Sequence, residues 1–214
     1  MRIEYNHVSN FERRAEIIAS LIPGLPHSKI IEVGARQCEM LDYLNRHISG
    51  IENAVAVDIS EDCLQTCASK GFETLQADLN NELLPVESSK FDIAIATEII
   101  EHLHHPYSEV SELRRVLKPD GRLLVTVPNV ARLRTRLGLL FGKDPTPLEP
   151  PEKEDVHIRE FTLQSISKLL NYHGFEIEDS GYIQYKGRNL LAILLKAFFP
   201  QLRTHIYIVA RPKK

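Results

Sequence analysis

Five short β-rich runs separated by helical patterns constrain this chain more than any other feature. They are "KIIEV" (29–33), "NAVAVDI" (53–59), "FETLQAD" (72–78), "FDIAIAT" (91–97) and "RLLVTVP" (122–128). In the fourth, Phe91, Ile93 and Ile95 are expected on one face and alanines on the other. Leu41, Leu44 and Ile48 recur at helical spacing after the first run, and "EDCLQTCASKG" is a helix that stops at Gly71. Val110, Leu113, Val116 and Leu117 mark another helix, ended by the turn signal "KPDG". Apolar strands alternating with helices require a parallel sheet covered on both faces, so the fold class is α/β.

The flanks extend this pattern within one domain, 1–214. Phe11, Ala15, Ile18 and Ile22 predict a helix in an N-terminal extension, 1–27. Residues 129–160, with "ARLRTRLG" and the proline cluster "DPTPLEPP", read as a lid on the substrate side, because a connection this long is usually functional. Leu163, Ile166, Leu169 and Leu170 then form an apolar helix face, with Thr162 as N-cap and Gly174 as stop. "FEIEDSGYI" and "HIYIVARP" are two late strands joined through "NLLAILLKAFFP" (189–200). That apolar segment is shorter than the about 20 residues needed to span a bilayer. Its expected state is a buried helix, and contact with a membrane surface is the less favoured reading.

The net charge of -3 gives no general attraction to nucleic acid or anionic membrane. Three cysteines make no disulfide framework, and Cys63 and Cys67 read as small core residues one helical turn apart. The first residues, "MRIEYNHVSNFERR", contain no secretory-type apolar stretch, and a reducing cytoplasm is the expected compartment. Nothing in the chain predicts an oligomeric state.

In an open parallel sheet, ligands bind beyond the C-terminal ends of the strands. Those ends carry Glu32 and Gly34, Asp58 with Ile59, Asp78 with Leu79, and Thr97 with Glu98. Three carboxylates at three neighbouring strand ends would repel a pyrophosphate, which argues against a nicotinamide dehydrogenase. They suit a ligand that offers ribose hydroxyls, an amino group and a sulfonium cation. Strand-end acids that cap the next turn are the structural alternative.

Over residues 28 to 183 the sequence resembles the class I S-adenosylmethionine-dependent methyltransferases. "EVGARQC", "AVDIS", "LQADL", "FDIAIATEIIEHL", "ELRRVLKPDGRLLVTVPN" and "HIREFTLQSISKLLNYHGFEI" carry the likeness. The last three stretches resemble ubiquinone-biosynthesis O-methyltransferases and RNA 3′-end methyltransferases. The resemblance implies a Rossmann-like, doubly wound, seven-stranded sheet with helices on both faces and an antiparallel last strand. It implies S-adenosyl-L-methionine as cofactor, held by Glu32, Gly34, Ala35, Arg36, Asp58, Ile59, Asp78, Leu79 and Thr97. Glu32 would orient the amino group, Asp58 would accept from both ribose hydroxyls, and Asp78 would face the adenine amine. Arg36 and Cys38 stand where the family has glycines, positions that need glycine only if φ is positive.

"TEIIEHLHHP" places Glu98, Glu101 and His102 at i, i+3 and i+4, on one face if the turn is helical. With His157 from the lid they are a candidate set for a divalent cation such as magnesium, which would lower the pKa of an acceptor hydroxyl. Without a metal, His102 is the candidate base and Glu98 a second catalytic group. The expected reaction is methyl transfer to a small-molecule or lipid-linked acceptor, at oxygen, with Arg132, Arg134 and Arg136 suiting an anionic one. The alternatives are a catalytically silent partner protein of the same fold and a metal-dependent RNA 3′-end enzyme. The charge balance and the lack of a basic-aromatic stripe disfavour RNA.

Overall fold

The computed structural model describes residues 7–22, 28–145, 157–185 and 190–213. Most of "DPTPLEPP" and all of "EKED" lie outside them, as do parts of the 1–27 segment. Seven strands form one sheet: β1 (Ser28–Val33), β2 (Ile51–Asp58), β3 (Glu73–Gln76), β4 (Phe91–Thr97), β5 (Leu117–Pro128), β6 (Phe175–Ile183) and β7 (His205–Pro212). The order is β3-β2-β1-β4-β5-β7-β6. The first five strands are parallel, while β7 runs antiparallel to both β5 and β6. Order reverses beside β1, so a crevice opens at the C-terminal ends of β1 and β4.

Among the described residues seven α-helices accompany the sheet: α1 (His7–Leu21), α2 (Glu39–His47), α3 (Glu61–Ser69), α4 (Pro106–Val116), α5 (Leu133–Leu140), α6 (Leu163–Tyr172) and α7 (Leu190–Phe198). Ala15 and Ile18 of α1 and Leu41 and Leu44 of α2 bury against Ile30, Ile93 and Ile95 on one face. Val110 and Leu113 of α4 and Ile166 and Leu170 of α6 cover Ile31, Val33, Ala94 and Ala96 on the other. Thr162 starts α6 with a reciprocal cap, accepting from Ser165 N at 3.2 Å while its own N–H donates to Ser165 Oγ at 2.9 Å. Gly174 follows in the left-handed region, φ 77°.

Four local expectations change. Strand β5 starts at Leu117 rather than Arg122 and absorbs "KPDG", because Lys118 Nζ pairs with Asp92 Oδ1 at 2.6 Å beside a register shift in β4. Phe91, ahead of that shift, packs with the alanine-side cluster rather than with Ile93 and Ile95. The apolar 189–200 segment is not the buried helix expected over its described side chains: Ile193, Leu194 and Phe198 of α7, and Phe199 after it, are exposed. Finally, Cys67 is buried but is not a thiol; it forms a disulfide with Cys38, at a Cα–Cα distance of 5.3 Å. Cys63 is the free cysteine.

That disulfide bears on the loop between β1 and α2. Gly34, Arg36 and Cys38 take φ of 67°, 49° and 55°. A conformation that favours glycine is thus taken at positions 36 and 38 by residues with a Cβ, at a cost of roughly 1 kcal/mol each. Such a conformation persists only when its surroundings impose it. Here Cys38 is bonded to α3, and Lys70 Nζ donates to the Gln37 carbonyl at 2.5 Å. Closing a loop with a sequence separation of 29 stabilises by about 3 to 4 kcal/mol in the chain-entropy account. Cys67→Ala is therefore expected to lower unfolding stability in urea by that order, and a reducing agent to do the same to the unaltered chain. An unchanged midpoint in both would refute the crosslink.

Candidate functional site

Asp58 ends β2, and both of its oxygens are engaged. Oδ2 accepts from the Arg36 N–H at 2.7 Å and Oδ1 from the Ser60 N–H at 2.9 Å. The carboxylate therefore caps the next turn and fastens the 34–38 loop to the sheet. An ionised carboxylate offers about four acceptor positions, so each oxygen retains capacity for a further donor. The capping role alone does not exhaust the group. The Arg36 side chain itself is exposed, turned out of the turn.

Strand β3 is shorter than expected and stops at Gln76, which leaves Asp78 in the following turn. Its Oδ1 accepts from Asn80 N at 2.9 Å and Oδ2 from Asn81 Nδ2 at 2.7 Å. These bonds, the Asn80 backbone first, hold its pKa below the usual value. Leu79 beside it is buried, whereas Ile59 after Asp58 is 62% exposed. Ala35 is buried and donates its N–H to Val57 O at 3.0 Å. A Cβ at Gly34 would come within 2.8 Å of the Ile99 side chain, so this position admits glycine for space as well as for φ.

Glu32 lies within β1, 2% exposed, and its Oε2 has no hydrogen-bond partner. Burial pushes its pKa up to about 8, against a backbone hydrogen bond from Leu41 and the charge of Arg14. A buried, unsatisfied carboxyl oxygen of this kind calls for a cationic donor. An amino acid ammonium satisfies it, so the acid set fits S-adenosylmethionine on the chemistry of its donors and acceptors.

Glu98 departs from its expected place. The helical turn begins only at Ile100, as a 3₁₀ turn Ile100–His102, and Glu98 stands ahead of it with φ 55°. Its side chain goes to a different group of partners: His205 Nε2 at 3.1 Å, Arg14 Nη1 at 3.7 Å and Thr126 Oγ1 at 2.9 Å. Burial raises its pKa, but the interaction with His205, the Arg14 charge and the Thr126 hydrogen bond outweigh it, and the net direction is down. Glu98 is therefore not among the residues that cluster as cation ligands. Thr97, partly buried at the end of β4, precedes it.

The cluster that does form joins Glu101, His102 and His157, whose ligand atoms all lie within 4.8 Å of one another. The returning lid residues make it: Ile158 N and Arg159 N both donate to Glu101 O, at 2.9 and 3.0 Å. Arg159 Nη2 adds a bond to His104 O at 2.8 Å. The His157 ring is thereby set edge-on to His102, centroids 4.8 Å apart. Beside this strap opens a cavity of about 600 Å³, with Arg159, Phe161, Lys168 and Tyr172 in its lining. Arg134 and Arg136 are exposed on α5 and do not converge with it.

Arg14 and His205 were not among the residues expected at the site. Arg14 had a signal, because it falls three after Phe11 and four before Ile18, inside the apolar stripe of α1. His205 had none: it arrives because β7 pairs antiparallel with β5, which puts it opposite Pro128.

The comparisons bear on the fold and the family. Residues 6–180 match the family model described as a methyltransferase domain. A Mycolicibacterium smegmatis protein named a probable S-adenosylmethionine-dependent methyltransferase is 37% identical over 97 residues, 45% of this chain and 33% of its own. The mitochondrial ubiquinone biosynthesis O-methyltransferase of Mus musculus is 25% identical over 179 residues, 78% of this chain and 47% of its own. The chain thus spans about half or less of the length of these curated relatives. An S-adenosylmethionine-dependent methyltransferase structure from Mesorhizobium loti shares the fold, with TM-score 0.68 at 17% identity over 93% of this chain and 97% of that one. With the sheet order, the strand-end acids and a family match over most of its length, the chain belongs to the methyltransferase domain family.

Proposed function

We propose that this domain transfers a methyl group from S-adenosylmethionine to a hydroxyl of a small-molecule or lipid-linked acceptor. The observation that carries the reading is the trio Glu32, Asp58 and Asp78 at one end of the sheet, with the unsatisfied Glu32 oxygen among them. S-Adenosylmethionine supplies a methyl already activated on a sulfonium, so the chain's task is alignment and exclusion of water. Glu32 would take the amino group, Asp58 the ribose hydroxyls and Asp78 the adenine amine.

His102 is the residue assigned to accept the proton of the acceptor hydroxyl, and the 157–159 strap fixes His157 against it. The adjoining cavity, with Arg159 and Lys168, suits an anionic acceptor. In the alternative reading, Glu101, His102 and His157 together would hold a divalent cation that polarises the same hydroxyl, with His102 a ligand in place of the base. Two imidazoles and one carboxylate favour a transition-metal ion over magnesium, which prefers an all-oxygen shell. The charge of -3 keeps RNA the weaker choice of acceptor, and the retained acid trio opposes a silent module.

Three measurements test this reading. Asp58→Ala is expected to abolish binding of S-adenosylhomocysteine by calorimetry, with circular dichroism confirming that the variant folds; undiminished affinity would refute the assignment. The second concerns pH. The Glu32 carboxyl, at about 8, holds a proton at neutral pH and must release it to meet an ammonium. Affinity should therefore rise as pH climbs towards 8 and fall again as the ligand's own amino group loses its proton, and Glu32→Gln should flatten the rise. A flat profile in the unaltered chain would remove Glu32 from the site. Third, zinc or manganese should raise the unfolding temperature of the unaltered chain and leave that of His157→Ala in place. Equal shifts in the two proteins would rule out the cation site.

A further inference from the structure

Two helices present apolar stripes to solvent instead of to the core. On α5 and the turn after it, Leu137, Leu140 and Phe141 recur at i, i+3 and i+4, with Leu140 and Phe141 each 76% exposed. On α7, Leu194 and Phe198 share one face at i, i+4, with Ile193 exposed to its side, and Phe198 is 79% exposed. The scattered exposed apolar residues of an ordinary surface need no explanation, but two helices that each expose several large ones do.

Both stripes issue from the same end of the sheet. Asn129, just past the C-terminal end of β5 and ahead of α5, donates Nδ2 to Gln201 O at 3.0 Å and to Arg203 O at 2.8 Å. Its N–H donates to Thr204 O at 2.9 Å. The root of α5 is therefore tied to the chain that leaves α7. That is the end at which Gly34, Asp58 and Glu98 also lie.

Charge narrows the choice of partner. Residues 129–143 and 190–204 contain no Asp or Glu, but they carry Arg132, Arg134, Arg136, Lys143, Lys196 and Arg203. A chain of net charge -3 has thus cleared the acids from the two segments that expose apolar stripes. Leucine and phenylalanine beside arginine and lysine, with no acid among them, is the composition of helices that lie in the headgroup layer of an anionic bilayer. A protein partner would be matched as readily by mixed charges. Among the described residues no helix is long and apolar enough to cross a membrane.

We infer that α5 and α7 form a docking surface for an anionic lipid bilayer, which sets the cofactor end of the sheet against the membrane surface. The docking stands apart from the methyl transfer; only its use, to reach a lipid-linked acceptor, rests on the function proposed above. The test is co-sedimentation of the full chain with phosphatidylcholine vesicles, with and without phosphatidylserine. Binding is expected to the serine-lipid vesicles, weaker to phosphatidylcholine alone, and to fall as salt is raised. The paired substitution Leu140→Glu and Phe198→Glu should reduce binding at least about tenfold. Both positions face solvent, so its unfolding temperature and its affinity for S-adenosylhomocysteine should not change. A chain that stays in the supernatant with both vesicle types overturns the docking surface, as does a substituted chain that still sediments. Self-association that the paired substitution abolishes would assign the stripes to a second copy instead and overturn it too. Loss of vesicle binding with product affinity intact, or the reverse, separates this inference from the proposed reaction.

Discussion

Two backbone N–H groups meeting on the carboxylate of Asp58 hold the ligand end of this molecule together. One comes from the loop after β1 and the other from the start of α3, so a single acid at the tip of β2 fixes three elements. The loop it fastens is costly, because Arg36 and Cys38 occupy a backbone region that favours glycine. The Cys38 disulfide and the Asp58 bond therefore act as a pair: one restrains the loop from the helix side, the other from the sheet. A residue that looks like a spent capping group is, by the same bonds, the one that gives the site its shape.

The two glutamates near Arg14 show how placement sets charge. Glu32 sits inside β1, reached by a single backbone donor and a more distant guanidinium, and burial prevails. Glu98 is buried as well, yet it has left the strand direction through a left-handed turn and meets His205, Arg14 and Thr126 together. Its carboxylate stays ionised. The neutral acid is the one left with an unsatisfied oxygen. The ionised acid already has its donors and works as a strut between α1, β4 and β7.

Much of this was legible in the residues. The alternation of apolar strands and helices determines the parallel sheet, and strand-end positions can be counted from it, which is why Asp58 and Gly34 fall where expected. What was not legible depended on backbone conformation or on distant pairing. The spacing of Glu98, Glu101 and His102 implies one face only if the turn is regular, and a positive φ at Glu98 breaks it. Cys38 and Cys67 are far apart in sequence, and no pattern of three cysteines announces their contact. Helix α7 is apolar enough to be a core helix; only the tertiary structure shows that the sheet was already covered. His157 was within reach of inference as a lid residue, but its seat depends on two main-chain bonds to the Glu101 carbonyl.

The helix ahead of the first strand carries a consequence for where this domain begins. Ala15, Ile18 and Ile22 close one face of the sheet, and Arg14 stands as countercharge to Glu98 and Glu32. A shortened protein opening at Ser28 would retain each recognisable motif while baring an oily flank and stranding two acids without their guanidinium. Excision guided by signature residues alone would cut through the folding unit, because its border follows buried surface and paired charge.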